Sequence, residues 1–116
     1  MKLINENGWS ISDRLGLVTV EELNLDDEPW SFSIFGVFYD PDTGEFWTSS
    51  DSGCSCPWPW EFHTPDQFDG PFTKEQAAAK LMGERWFGSG DGRVSFIERQ
   101  LRGRDRVIDF QLGVEA

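Results

Sequence analysis

The sequence predicts an α+β fold: one small domain in which an antiparallel sheet, built on a central hairpin, carries one or two helices. Three observations lead there. Phe32, Ile34, Gly36 and Phe38 alternate with Ser33, Phe35, Val37 and Tyr39, so both faces of this strand are largely apolar, as in a strand covered on two sides. Asp40-Pro-Asp-Thr-Gly44 then forms a turn, because proline presets φ and glycine accepts φ > 0. Thr73-Lys-Glu-Gln76 is a capping box that opens an alanine-rich helix. The 116 residues suffice for one core and are too few for two.

Taken in order, the chain starts with loop-like residues around Gly8-Trp9-Ser10. Leu15-Gly-Leu-Val-Thr-Val20 follows as a short β-branched run, read as an edge strand. Residues 21–29 are acidic and turn-prone, and read as a solvated loop. The hairpin comes next, with Glu45-Phe-Trp-Thr-Ser49 as its returning strand. Residues 62–72 are irregular, broken by Pro65, Gly70 and Pro71. In the capped helix Ala77, Ala78, Leu81 and Met82 form the apolar face, and the helix stops at Gly83 or runs on to Phe87. Gly88-Ser-Gly-Asp-Gly92 reads as a turn, since no lysine follows to make a phosphate loop. Ser95-Phe-Ile-Glu98 fits the start of a second helix ending at Gly103, while residues 93–101 also fit a strand. The helix is the favoured alternative. Val107-Ile-Asp-Phe-Gln-Leu112 alternates and reads as a strand.

Charge narrows the choice of partners. Net charge is −11, and residues 1–72 hold 14 acids against 2 bases, whereas residues 73–116 hold 7 against 8. An acidic body repels phosphates, so direct nucleic-acid binding is not expected, but it attracts basic surfaces. Residues 1–7 lack the apolar stretch of a signal peptide, and no apolar run is long enough to span a bilayer. Two cysteines make no disulfide framework. The expected location is therefore the cytoplasm, without membrane contact.

The segment Asp51 to Glu61 concentrates unusual residues: both cysteines, two of the six prolines and two of the six tryptophans. Cys54 and Cys56, with His63 nearby, are candidate zinc ligands, but a Cys-x-Cys pair with one histidine is a sparse set. A disulfide across so small a ring would be strained, and a thiolate activated by His63 would lack an orienting third group. A structural reading is favoured. Gly53 permits a backbone turn, Asp51 and Ser52 bond local amides, Pro57 and Pro59 stiffen the segment, and Cys54 and Cys56 fill space. Trp58 and Trp60, two residues apart, then point to opposite sides of an extended segment. One can anchor the loop while the other faces solvent.

Residues 31–39, the turn, the aromatic strand and the string Asp51-Ser52-Gly53-Cys54-Ser55-Cys56-Pro57-x-Pro59-x-Glu61 together resemble a family of small uncharacterised actinobacterial and actinophage proteins. The resemblance covers about residues 15–82, leaving 83–116 as an extension within a single domain 1–116. It implies a small accessory protein of a bacterial host cytoplasm and carries no activity with it. The sequence reading is therefore a non-enzymatic, cofactor-free protein that binds a host or phage protein. Its binding residues are Trp58, Trp60, Glu61, Phe62, Asp66 and Asp69, because tryptophan is enriched among interface hot spots. Two alternatives stand beside it: an acidic mimic of nucleic acid that blocks a DNA-binding or defence protein, and a zinc- or thiol-dependent activity at Cys54, Cys56 and His63.

Overall fold

The computed structural model describes residues 1–26, 30–54, 59–61, 63–88 and 90–111, with Cys54 described by its backbone alone. Four strands form an antiparallel meander in the order β1-β2-β3-β4: β1 (Val18–Asn24), β2 (Ser31–Asp40), β3 (Glu45–Cys54) and β4 (Asp69–Phe72). Among the described residues three α-helices accompany them, α1 (Ile11–Leu15), α2 (Lys74–Met82) and α3 (Arg93–Asp109). This is the expected α+β single domain.

The hairpin forms where the sequence places it. β2 and β3 pair from Asp40↔Glu45 down to Ser31↔Cys54, and Gly44 takes φ 75° to close the turn. The double-sided alternation of β2 has the expected consequence. Phe35 and Val37 join Leu23, Phe46, Ala77, Ala78, Leu81, Phe96 and Val107 in a core under α2 and α3. Phe38 points the other way, into a second core with Ile11, Leu15, Leu17, Trp60 and Phe68. Fully burying side chains such as Phe38 and Leu17 contributes about 1.5–3 kcal/mol each. The sheet is thus covered by α2 and α3 on one face, and on the other by α1 and residues 60–68.

Several elements depart from the sequence reading. The N-terminal stretch read as loop contains α1: the Ser10 side chain accepts from the Asp13 amide at its start, and Gly16 ends it at φ 69°. β1 continues through Glu21–Asn24, which had been read as part of an acidic loop, because β2 is long enough to pair with it. Asp27, Glu28 and Pro29, the centre of that loop, lie outside the described residues. β3 likewise runs five residues past Ser49. Gly53 therefore makes no turn; it sits opposite Phe32, where a Cβ would come within 3.3 Å of the Phe32 ring. β4 arises within the stretch read as irregular, since a short edge strand tolerates proline.

α2 is capped as expected. The Thr73 hydroxyl accepts from the Gln76 amide at 3.1 Å, and the Gln76 side chain accepts from the Thr73 amide at 2.9 Å. The helix ends at Gly83. α3 overturns the strand expected at 107–112. It runs 17 residues, through Gly103 to Asp109, because Phe96, Gln100, Gly103 and Val107 share one face and bury it against α2 and β1. Phe110 leaves the helix and packs on Tyr39 and Phe46. Among the described residues no helix is long and apolar enough to cross a membrane.

Candidate functional site

The segment Asp51–His63 is held at both ends, and each hold can be traced to a charged side chain. On one side Asp51 projects from β3, and its carboxylate accepts from the Trp60 amide at 2.8 Å and from the Ser52 amide at 3.0 Å. On the other side stands Arg14 of α1, whose guanidinium donates to three carbonyls: Trp60 at 3.0 Å, Glu61 at 2.7 Å and His63 at 2.6 Å. Arg14 is only 6% exposed, so these bonds form where water competes poorly. Between the two holds, Trp60 adopts φ 68°, a left-handed conformation unusual for a bulky residue. Such backbone costs about 1–3 kcal/mol and persists only where its surroundings over-determine it. Asp51 holds the N–H of Trp60 and Arg14 holds its C=O.

The ring of Trp60 explains the packing. It is 6% exposed and meets Phe38 edge-on at 5.2 Å and His63 edge-on at 5.0 Å. Gly36 admits it, since a Cβ there would lie 2.9 Å from the indole and 2.5 Å from the Phe38 ring. Trp60 was expected among the residues presented to a partner. Its burial corrects that expectation, leaving it the anchor of the segment.

His63 is fixed by Ser49. Its Nε2 lies 2.8 Å from the Ser49 hydroxyl, which also lies 2.7 Å from the Gln67 carbonyl. A hydroxyl has one proton to give. The His63 tautomer sets where it goes: with the ring proton on Nε2 the hydroxyl donates to the Gln67 carbonyl, and with it on Nδ1 the Nε2 can accept it. Both side chains are buried. Burial pushes the His63 pKa below its usual 6.5, outweighing the Asp51 charge and the Ser50 backbone, which raise it; Arg14 lowers it further. His63 is therefore neutral at pH 7, and it is part of the frame.

Beside this frame opens a cleft of about 360 Å³, lined by Ser33, Ser50, Ser52, Asp51, Glu84 and Phe87 along with Leu25, His63 and Gln67. Burial raises the pKa of Glu84 above its ordinary 4.5, against the opposing hydrogen bond from the Ser50 side chain. A carboxyl pushed up and an imidazole pushed down thus face one cleft, the kind of pairing that gathers at functional sites.

Other expected site residues are scattered. Glu61 is half-buried and gives its carbonyl to Arg14. Asp66 is exposed and accepts from the Thr64 hydroxyl. Asp69 is exposed on β4 opposite Thr48. Pro59 sits in the turn before Trp60. Ser55, Cys56, Pro57, Trp58 and Phe62, and the side chain of Cys54, lie outside the described residues. Among the described residues no three His, Cys, Asp or Glu side chains gather as metal ligands.

Three contributors escaped the sequence reading. Arg14 is the only arginine within residues 1–72, and that isolation was its one signal. Glu84 carried none. Trp30, 78% exposed, immediately precedes Ser31, which pairs with Cys54, and so stands at the sheet end where the clamped segment leaves β3.

The family described as Domain of unknown function (DUF7574) matches residues 7–106. The chain belongs to this family. The matched range takes in α1 with its Arg14, all four strands, α2 and most of α3, so the clamp and the cleft both lie within the DUF7574 domain. It reaches well past the span of about 15–82 over which the sequence resemblance was drawn. No curated protein and no solved structure matches the chain.

Proposed function

We propose that this chain is a binding protein without catalytic activity, a small accessory protein of an actinobacterial or phage-infected cytoplasm, and that it docks on another protein through one end of its sheet. The observation that carries the reading is Trp30, a large ring left 78% exposed beside the root of a segment clamped by Asp51 and Arg14. Exposed tryptophan on a rigid support is the usual composition of an interface hot spot, and clamping lowers the entropy lost on docking. Trp58, a hot-spot candidate of the sequence reading that lies outside the described residues, is tested beside it, and the acidic body steers basic partners toward the docking surface.

The test is affinity capture from host lysate with the parent, Trp30→Ala and a Trp30→Ala/Trp58→Ala double variant. Variants that fold and lose a partner held by the parent support the proposal; folded variants that retain every partner refute it. Release of the captured partner by duplex DNA, with steep salt dependence, would instead favour a nucleic-acid mimic.

A further inference from the structure

The cleft at the sheet end points to what the docking partner brings, and this inference rests on the docking reading above. Ser50 and Ser52 are exposed and Ser33 is half-buried on β2 and β3, and all three line the cleft. Alternation along paired strands places these three on one face. Glu84 adds a carboxylate beside them, Leu25 and Phe87 add apolar wall, and Asp51 borders the cleft from the other face of β3. Phe87 is 66% exposed, although its amide is fixed on the Leu25 carbonyl at 2.8 Å.

No lysine or arginine lines the cleft, and among the described residues neither Asp51 nor Glu84 forms an ion pair. The oxygens of Asp51 are occupied by amides, which leaves its negative charge in place. Glu84 has given up part of its hydration for one serine hydroxyl. A carboxylate that loses water without gaining a cation is unfavourable, and the arrangement is relieved when a cation arrives. A divalent metal is poorly matched, because it requires many oxygen ligands in one shell and no such group of three gathers among the described residues. A long cationic side chain matches better, since its aliphatic stem covers apolar wall while its head meets carboxylate. A cleft of about 360 Å³ also falls in the range of sites that enclose a side chain or small ligand.

We propose that this cleft receives a lysine or arginine side chain from the protein partner, its head meeting Glu84 and its stem lying against Leu25 and Phe87. The occupant is thus a basic residue with apolar neighbours, presented by a partner that the −11 net charge draws in.

The experiment pans the immobilised full chain against a random peptide display library and measures the selected peptides on the parent, Glu84→Gln and Trp30→Ala. Glu84→Gln is nearly isosteric and removes a desolvated charge, so a melting temperature at or above that of the parent confirms its fold. Selected peptides sharing a lysine or arginine beside an apolar residue, and binding Glu84→Gln at least about tenfold more weakly, are the expected result. Saturating peptide should also draw the Glu84 carboxyl pKa down toward its ordinary value, read by carboxyl-carbon NMR. Peptides without a basic residue, unchanged affinity for Glu84→Gln, or an unmoved Glu84 titration would each overturn the proposal. Loss through Trp30→Ala with Glu84→Gln unaffected overturns the cleft and leaves the docking surface. Loss through Glu84→Gln alone leaves the cleft and removes Trp30. A library that yields no binder overturns both.

Discussion

Replacing Arg14 by methionine keeps an unbranched stem in place and removes the guanidinium. Three carbonyls, those of Trp60, Glu61 and His63, then lose donors at 3.0, 2.7 and 2.6 Å. A hydrogen bond to a charged group contributes about 1.5–3 kcal/mol. The three share one donor group, and Glu61 is half-buried, so water can satisfy part of the loss and the terms do not add. The strained backbone of Trp60 also relaxes once its carbonyl is released, which returns some free energy. The net cost works out at about 3–5 kcal/mol, the range for breaking a buried charged network. For a chain of this size each kcal/mol moves the melting temperature by about 4 °C, so Arg14→Met should melt about 12–20 °C below the parent by calorimetry. Arg14→Lys, which keeps the charge but cannot span three acceptors, should fall between. A drop smaller than about 4 °C for Arg14→Met would mean that these carbonyls are satisfied without the clamp, and the reasoning would fail.

Three further expectations follow from the same structure. His63 binds a proton less readily folded than unfolded, so its contribution is full above pH 6.5 and is lost as pH falls through the folded pKa; His63→Gln should flatten the melting-temperature profile between about pH 7 and 5. Glu84 has the opposite sign. Its raised pKa makes the folded state bind more protons, so stability falls as pH rises from 4.5, and Glu84→Gln should gain over the parent at pH 7 and match it near pH 4, in the same assay. At Gly103 a Cβ would lie 3.2 Å from the Glu21 side chain and 3.3 Å from Leu81; Gly103→Val should cost about 1–3 kcal/mol by overpacking in chemical denaturation, and a neutral result would contradict the close approach of α3 to β1 and α2.

The hairpin and α2 were legible because each rests on local chemistry: alternation with a Pro-Asp-Thr-Gly turn in one, a capping box in the other. The second half of β3 was not, since Ser49–Gly53 are poor strand formers whose pairing is supplied by β2 lying alongside. α3 misled for a related reason. Ile108, Phe110 and Leu112 alternate, and Gly103 looks like a helix stop, yet the face formed by Phe96, Gln100, Gly103 and Val107 finds a groove that only the folded sheet and α2 create. The candidate site was half visible. Its segment stood out by composition, and one of its tryptophans does anchor it, but the residue that grips it lies 46 positions away from Trp60 and no local pattern joins the two. Glu84 likewise becomes notable only through the cleft into which the chain after α2 delivers it.

The grip of Arg14 also divides the molecule dynamically. α1, the turn around Trp60 and the second core cannot open separately, since releasing any of them strips the same guanidinium of its acceptors. They make one cooperative opening unit, laid on the opposite side of the sheet from α2 and α3. Amides of residues 14–16 and of residues 60 and 63 should therefore exchange with solvent at a common free energy, distinct from that of α3. An event at the turn around Trp60 would then be registered at the start of the chain, with β2 as the fixed wall between the two halves.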